Sequence, residues 1–507
     1  MQRPALPGHL TIPLVAALLL PCLWAGCYRT NTRSEPDAAA PLPDAARPDA
    51  PLDLPDARGP DAFVVRDECA RDRDCVVGLC VLDASREPVD LAPVPLRCGP
   101  SVGLVRPGQE CDANEACDHG LCALAGGCVE PCLDASDCAD GERCTSVPVV
   151  TSERTMQTAR ACVRWVDAPP GTVVVSDETL TVSRFASEEL PLGAMGMPTR
   201  LALFVAGEVD EGRYVSGLRT ATGEVLYDVS GLGVTRQVFP VIASQDIVPA
   251  LIPNGTRDAP LGVDLVLTLE TSRTSELRQI ILDRPAPGRV LDVNVFYVGV
   301  EAPRAGTPPR EVTEMLAQYD ALLGTVDLAL GRVRHLVLVG ASARSFSVIE
   351  DDLEVGELFA LSAGAARPAL NVFLVRSGTD FLGIAGGAPG AQAVHGTRAS
   401  GIAIGFEDLQ SIVGMAPPDL PGTVLGHETG HFLGFFHTTE LDGTVIEALD
   451  DTPVCTLAED RDGDGMLMPD ECAGHGADNV MFWGPFTPSP RFSPRQARIL
   501  QNAMVLQ

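Results

Sequence analysis

The stretch HETGHFLGFFH, His427 to His437, holds three of the chain's 8 histidines. A Glu follows the first of them. On an α-helix, His427 and His431 stand one turn apart and point the same way. Two neutral imidazoles at that spacing can grip one zinc ion. Glu428 can then reach a water at the metal without being a ligand. A straight helix would carry His437 away from such a site. Gly434 lies between, and Gly tolerates the left-handed turn that ends a helix and folds the chain back. The stretch therefore reads as a three-His site with one open position.

Around it, residues 288–507 alternate between strand and helix patterns. LDVNVFYVGV reads as a buried strand, and HLVLVG and ALNVFLVRSG as further central strands. REVTEMLAQYDALLGTVDLAL sets Val312, Met315, Leu316, Tyr319, Leu323 and Val326 on one helical face. The Gly-rich loop GIAGGAPGAQ follows, then the short strand GIAIGF at 401–406. The expectation is a C-terminal α/β (α+β) domain with a mixed sheet.

The pattern His427-Glu428-x-x-His431-x-x-Gly434-x-x-His437 matches the metzincin zinc-peptidase signature at every fixed position. Met481, in Asn479-Val480-Met481, resembles the Met that this family carries in a turn beneath the metal. LDDTP at 449–453 looks like a segment of the pappalysin-type branch. MFWGPF follows that turn and no Tyr follows Tyr319, a departure from metzincins that place a Tyr near the metal. The resemblance covers about 290–507. It implies one catalytic Zn2+ on His427, His431 and His437. It implies a zinc-activated water with Glu428 as general base, and Met481 packing beneath the site. Strand 401–406 would be the family's edge strand, pairing with bound peptide through the main chain.

A second candidate metal loop lies between the third His and the Met turn. Asp460, Asp462, Asp464, Gly465 and Glu471 fit D-x-[DN]-x-[DN]-G-x5-E, the calcium loop of EF-hands. The backbone carbonyl of Met466 would add a ligand. Pro469 and the lack of a clear preceding helix argue against a true EF-hand. A lone Ca2+ loop stapled by a Cys455–Cys472 disulfide is the expectation.

The N-terminal half has a different composition. Residues 1–27 read as an export signal that ends Ala25-Gly26-Cys27. Small residues before a Cys resemble the lipobox of bacterial lipoproteins, which implies lipidation of Cys27. Residues 28–66, rich in Pro, Asp and Ala, cannot build a core and read as a disordered tether. Residues 67–165 carry twelve cysteines in three sets of four, an internal repeat of small disulfide-rich modules. Their pairing is open from sequence. Zinc is the competing reading, but the C-x-x-C knuckles are missing. Residues 166–287 show alternating apolar runs (TVVV, RLALFVAG, EVLYDVSG, VDLVLTLE, LRQIILDR) that read as a β-sandwich accessory domain.

The net charge of -31, from 68 acidic and 37 basic residues, excludes a phosphate-backbone partner and so nucleic acid. The combined expectation is a multidomain, exported zinc metalloendopeptidase acting on protein or peptide. It would sit at the outer membrane or cell surface through a lipid anchor, or otherwise be secreted. The rival is a surface-anchored binding or adhesion protein with a non-essential or self-processing peptidase domain.

Overall fold

The computed structural model describes residues 68–507, apart from 229–244 and the shorter stretches 153, 184–186, 211–212, 254–257, 259, 272, 380, 415, 445–448 and 485. The expectations for the export signal, Cys27 and the Pro/Asp/Ala tether lie outside the described residues.

The cysteines of each set pair first to third and second to fourth. The bonds are Cys69–Cys80 and Cys75–Cys98, Cys111–Cys122 and Cys117–Cys128, and Cys132–Cys144 and Cys138–Cys162. A one-turn 3-10 helix ends at the second cysteine of every set: Asp72–Asp74, Asn114–Ala116 and Ala135–Asp137. Units of this size bury too little apolar surface to hold themselves, so the cross-links do it. Closing a loop of some fifteen residues is worth about 3 kcal/mol in the chain-entropy picture. The first unit adds the hairpin β1 (Leu79–Leu82) with β2 (Leu96–Gly99). The third builds a sheet from β3 (Glu130–Pro131), β4 (Glu142–Ser152) and β5 (Thr155–Arg164), in the order β3-β5-β4.

Two four-stranded antiparallel sheets come next. Their strands are β6 (Val173–Val182), β7 (Ser187–Ala194), β8 (Thr199–Asp210), β9 (Tyr214–Thr220), β10 (Val225–Asp228), β11 (Gln245–Ile252), β12 (Asp264–Glu270) and β13 (Ser275–Arg284). The orders are β10-β9-β12-β7 and β11-β8-β13-β6. β7, β9 and β11 had no counterpart among the five apolar runs, because SEELPLGA, YVSGLRT and QDIVPALI mix polar residues and Pro into the pattern. Side chains alternate along a strand, and the second sheet uses both faces. Ala202, Phe204, Val248, Ala250 and Ile281 pack on the first sheet. Leu201, Leu203, Val205, Ile280 and Leu282 join the core of the C-terminal region. At the rim Arg200, fully buried, binds Asp283 at 2.6 and 2.8 Å and caps the carbonyls of Leu192, Gly193 and Ala194. Every charge-bearing atom is answered, as a buried ion pair requires.

The C-terminal region is built on β14 (Val290–Val298), β15 (Ala329–Val337), β17 (Leu370–Val375), β19 (Gly383–Ala385) and β20 (Ile402–Gly405), with the two-residue strands β16 (Val348–Ile349) and β18 (Ser377–Gly378) paired to one side. The sheet order is β15-β14-β17-β20-β19. The first four strands are parallel and β19 is antiparallel, so the sheet is mixed. The helices are α1 (Arg310–Gly324), α2 (Gly340–Ser345), α3 (Asp352–Ala360), α4 (Phe406–Ile412), α5 (Leu420–Leu433) and α6 (Pro494–Gln501). The whole is a multidomain α+β protein, rich in sheet, with a disulfide-rich N-terminal region.

Three expectations need correction. HLVLVG is not a central strand: β15 begins earlier, at Ala329, and lies at the sheet's end. Arg332 and Arg334 on it reach the second cysteine unit, where Arg334 donates to the carbonyls of Cys111, Ala125 and Gly126. The unit thus covers an otherwise open edge. Strand 401–406 is not an edge either. β20 lies between β17 and β19 with all four residues buried, and the edge is β19, from the stretch that reads as a Gly-rich loop. Three residues with a Gly at the start are too short to signal a strand. Finally, α1 stops at Gly324, so Val326 is buried in the turn beyond the helix.

Candidate metal centre

α5 carries His427, Glu428 and His431, and all its residues are buried. A helix buried on every side needs neighbours close enough to exclude water. Gly422, Gly426 and Gly430, spaced four apart, make that approach possible. A Cβ on Gly422 would lie 2.3 Å from Gln318 Cβ, one on Gly426 2.3 Å from Leu322 Cδ2, and one on Gly430 2.3 Å from Met481 Sδ. Two of these glycines admit α1 and the third admits Met481. Tyr319 of α1 meets Thr429 of α5, hydroxyl to hydroxyl, at 2.9 Å.

Gly434 ends α5 with φ +126° and donates to the carbonyls of Gly430 and His431. The chain turns back there, and His437 returns to the two helical histidines. The three Nε2 atoms lie 3.1, 3.1 and 3.2 Å apart. Each opposite nitrogen has an acceptor: His427 Nδ1 meets Val480 O at 2.7 Å, His431 Nδ1 meets Phe435 O at 2.8 Å, and His437 Nδ1 meets Glu440 Oε2 at 2.8 Å. A carbonyl only accepts, so Nδ1 of His427 and of His431 carries the proton. Their Nε2 lone pairs then face each other and His437 across a space the size of a metal ion. Such lone pairs repel unless a cation lies between them, and this is the tautomer that zinc requires. Burial first, and His437 after it, lowers the His427 imidazole to about 3 against an opposing bond to Val480. Burial and the other two rings hold His431 well below its ordinary range. Both rings are therefore neutral at neutral pH.

Glu428 is buried beside the histidines, with its Oε2 unpartnered among the described residues. Its side chain fills the space at Gly383, where a Cβ would come within 2.5 Å of Glu428 Cγ. Glu428 thus lies against β19, the edge of the sheet.

Val480 and Met481 approach from beneath. Asn479 Oδ1 accepts from Met481 N at 2.8 Å, and Asn479 Nδ2 donates to Gln496 of α6 at 3.0 Å. The turn is therefore braced by the last helix. The LDDTP segment anchors that helix: Asp451 accepts from Ser493 Oγ and from Arg495 N, and Asp450 pairs with Arg495 at 2.6 Å. Glu440 is the site residue the sequence reading missed. An acid three residues beyond the last His, in HTTE, is its signal, because a carboxylate there can hold the ring it follows.

The acidic loop is stapled by Cys455–Cys472 and has a small core of Leu467, Ala477 and Phe482. Asp460 accepts from the backbone of Gly463 and Gly465, and Asp464 from that of Met466. Asp462 accepts from Asp464 N, and Glu471 closes the loop on the backbone of Arg461 and Met468. Its base is tied to the segment after His437 through Cys455 N, which donates to Thr439 Oγ1 at 3.1 Å. The remaining histidines of the C-terminal region are not gathered here. His335 bonds Tyr297, His395 bonds Asn371 and the carbonyl of Arg367, and His475 is exposed beside Glu459.

No protein-family model and no curated protein matches this chain. Among solved structures, metalloproteinase-II from Bacteroides fragilis aligns with a TM-score of 0.23 and 10% identity, over 44% of this chain and 62% of that one. The salicylyl-acyltransferase SsfX3 of a tetracycline biosynthetic pathway aligns with a TM-score of 0.13 and 13% identity, over 41% and 61%.

Burial pushes the Glu428 carboxyl from 4.5 up to about 8. In metal-stripped protein the folded chain keeps this proton between those values, while the unfolded chain has lost it. The raised value therefore costs stability progressively as pH climbs from 4.5 toward 8, and costs nothing below 4.5. Glu428→Gln carries no such cost. Its melting temperature in EDTA is expected to exceed the wild type's at pH 8 by a margin that shrinks as pH falls toward 4.5. A margin independent of pH would contradict the burial of this charge.

Proposed function

We propose that this protein is a zinc-dependent metalloendopeptidase of the metzincin type. The observation that carries the reading is the convergence of three imidazole Nε2 atoms, each backed by an acceptor on Nδ1, beside a buried carboxylate with a free oxygen. His427, His431 and His437 would hold the ion, and Glu440, Val480 and Phe435 keep their rings turned toward it. Zinc, when bound, supplies Lewis acidity toward water and toward a peptide carbonyl.

The chain's own groups do the rest. Glu428 Oε2 accepts a proton from the attacking water and delivers it to the departing amine nitrogen. Its raised proton affinity in the buried site suits both transfers. β19 offers the main-chain groups of Gly383–Ala385 on the side away from β20, where an extended peptide can add as a strand. Glu428 lies against that strand, so a peptide docked there passes the proton-transfer group. Met481 packs on Gly430 and is not a ligand.

The test is a peptide-mixture digest by the mature chain beside Glu428→Gln, with zinc measured on both. The reading expects about one tightly held zinc in each. Cleavage is expected from the wild type, with a loss of about 10²–10⁴-fold in the variant, the usual reach of a general base. Zinc in both and cleavage by neither would transfer the weight to the surface-binding reading.

Two further parts rest chiefly on sequence. Ca2+ at Asp460, Asp462, Asp464, the Met466 carbonyl and Glu471 would order the loop tied to Thr439. Protein stripped with EDTA and reloaded with zinc alone is then expected to melt lower than protein given both ions; equal melting temperatures would remove calcium from the reading. Export with lipidation at Cys27 predicts a mature chain that begins at Cys27 and carries acyl mass. An unmodified N-terminus by mass spectrometry would leave plain secretion.

A further inference from the structure

The cysteine units hold a second cluster of metal-ligating side chains, remote in sequence from the three-His site. Asp72 belongs to the 3-10 turn of the first unit, His119 to the second, and Glu130 to β3 at the start of the third. One donor atom from each lies within 4.8 Å of the others. His119 is only 3% exposed.

The orientation of each group is set by its neighbours. Cys80 N donates to Asp72 Oδ1 at 2.7 Å, which turns Oδ2 toward His119 Nε2, 3.2 Å away. The far ring nitrogen, Nδ1, meets Asp118 Oδ1 at 2.7 Å, and the same oxygen accepts from His119 N. Leu82 N donates to the His119 carbonyl at 2.9 Å and ties this residue to the first unit's hairpin. A carboxylate on Nδ1 with Nε2 aimed at further oxygens is the carboxylate–histidine–metal arrangement.

The charge balance points the same way. Three carboxylates, of Asp72, Asp118 and Glu130, surround one imidazole. The Glu130 carboxylate, within reach of Asp72 and His119, has no hydrogen bond or ion pair among the described residues. A divalent cation answers Asp72 and Glu130 together and leaves Asp118 to hold the ring.

We propose that Asp72, His119 and Glu130 form a second metal site, which takes a divalent first-row cation and staples the three cysteine units to one another. One imidazole and two carboxylates suit zinc or manganese rather than calcium, which takes oxygen alone. The site is structural: each unit contributes one ligand, so the ion fixes relative positions that no disulfide spans. This proposal is independent of the catalytic reading, because none of its residues touches the three-His centre.

The test uses the full mature chain with zinc as probe and saturating calcium to occupy the acidic loop. In a His427→Ala/His431→Ala background the chain is expected to bind one zinc and to melt higher with it. Adding Glu130→Gln, which keeps the side chain's shape, is expected to weaken that zinc at least about tenfold and to abolish the melting shift. Adding Glu142→Gln nearby is expected to change neither. If the double variant does not fold, zinc content decides in otherwise native protein: about two per wild-type chain and one in Glu130→Gln. Equal zinc affinity and equal melting shifts with and without Glu130→Gln would overturn the site.

Discussion

The close packing of α5 is the constraint on which the C-terminal region depends. This helix presents no face to water. Its three glycines remove the side chains that would hold α1 and Met481 away, and the cost of Gly within a helix, about 1 kcal/mol each, is offset by the burial they permit. The histidines consequently emerge from a helix that cannot rotate or shift without opening a void. A ligand set needs that rigidity, because its nitrogens must converge to within a few tenths of an ångström.

The N-terminal units contribute to the same rigidity. The segment 386–395 behind the site is buried throughout. Gly390 N donates to Phe432 O of α5 at 2.8 Å, so this segment and the helix are joined directly. The flanking units hold it from outside. Arg143, between the ring of Trp165 and the carbonyl of His395, reaches it from the third cysteine unit. Asp167 N donates to Ala393 O, and Arg398 N donates to Asp246 of β11. Neither the cysteine units nor the paired sheets are therefore pendants on a linker. They close the outside of a scaffold whose inside holds the three-His cluster, and the shared core of β8 and β13 with β14 is the apolar counterpart of those polar ties.

The hydrogen-bond partners of the three imidazoles show how sparse the supporting set is. Two are backbone carbonyls, of Val480 and Phe435, and carry no side-chain signature at all. The third is Glu440, legible only as an acid close to the last histidine. Asn479 acts one step further out, through the backbone of Met481 and through α6. Positions that act through the backbone are invisible to residue type, since any side chain can stand above a well-placed carbonyl.

The sequence by itself determined the local chemistry. One turn of helix places His427 over His431, Gly434 permits the reversal that returns His437, and the apolar runs of β14 and β17 read as buried strands. The even set of cysteines, without C-x-x-C knuckles, favoured cross-links over zinc. Only the tertiary structure decided what depends on distant neighbours. It paired the cysteines first to third and second to fourth, and it moved the sheet's edge from β20 to β19. It also covered β15 with a cysteine unit, and it set Asp72, His119 and Glu130 together from three units. The physical reason is one of range. Helix periodicity and turn geometry act over a few residues and are written in adjacent letters, whereas strand order, disulfide partners and charge neighbours are settled by which surfaces the folded chain brings into contact.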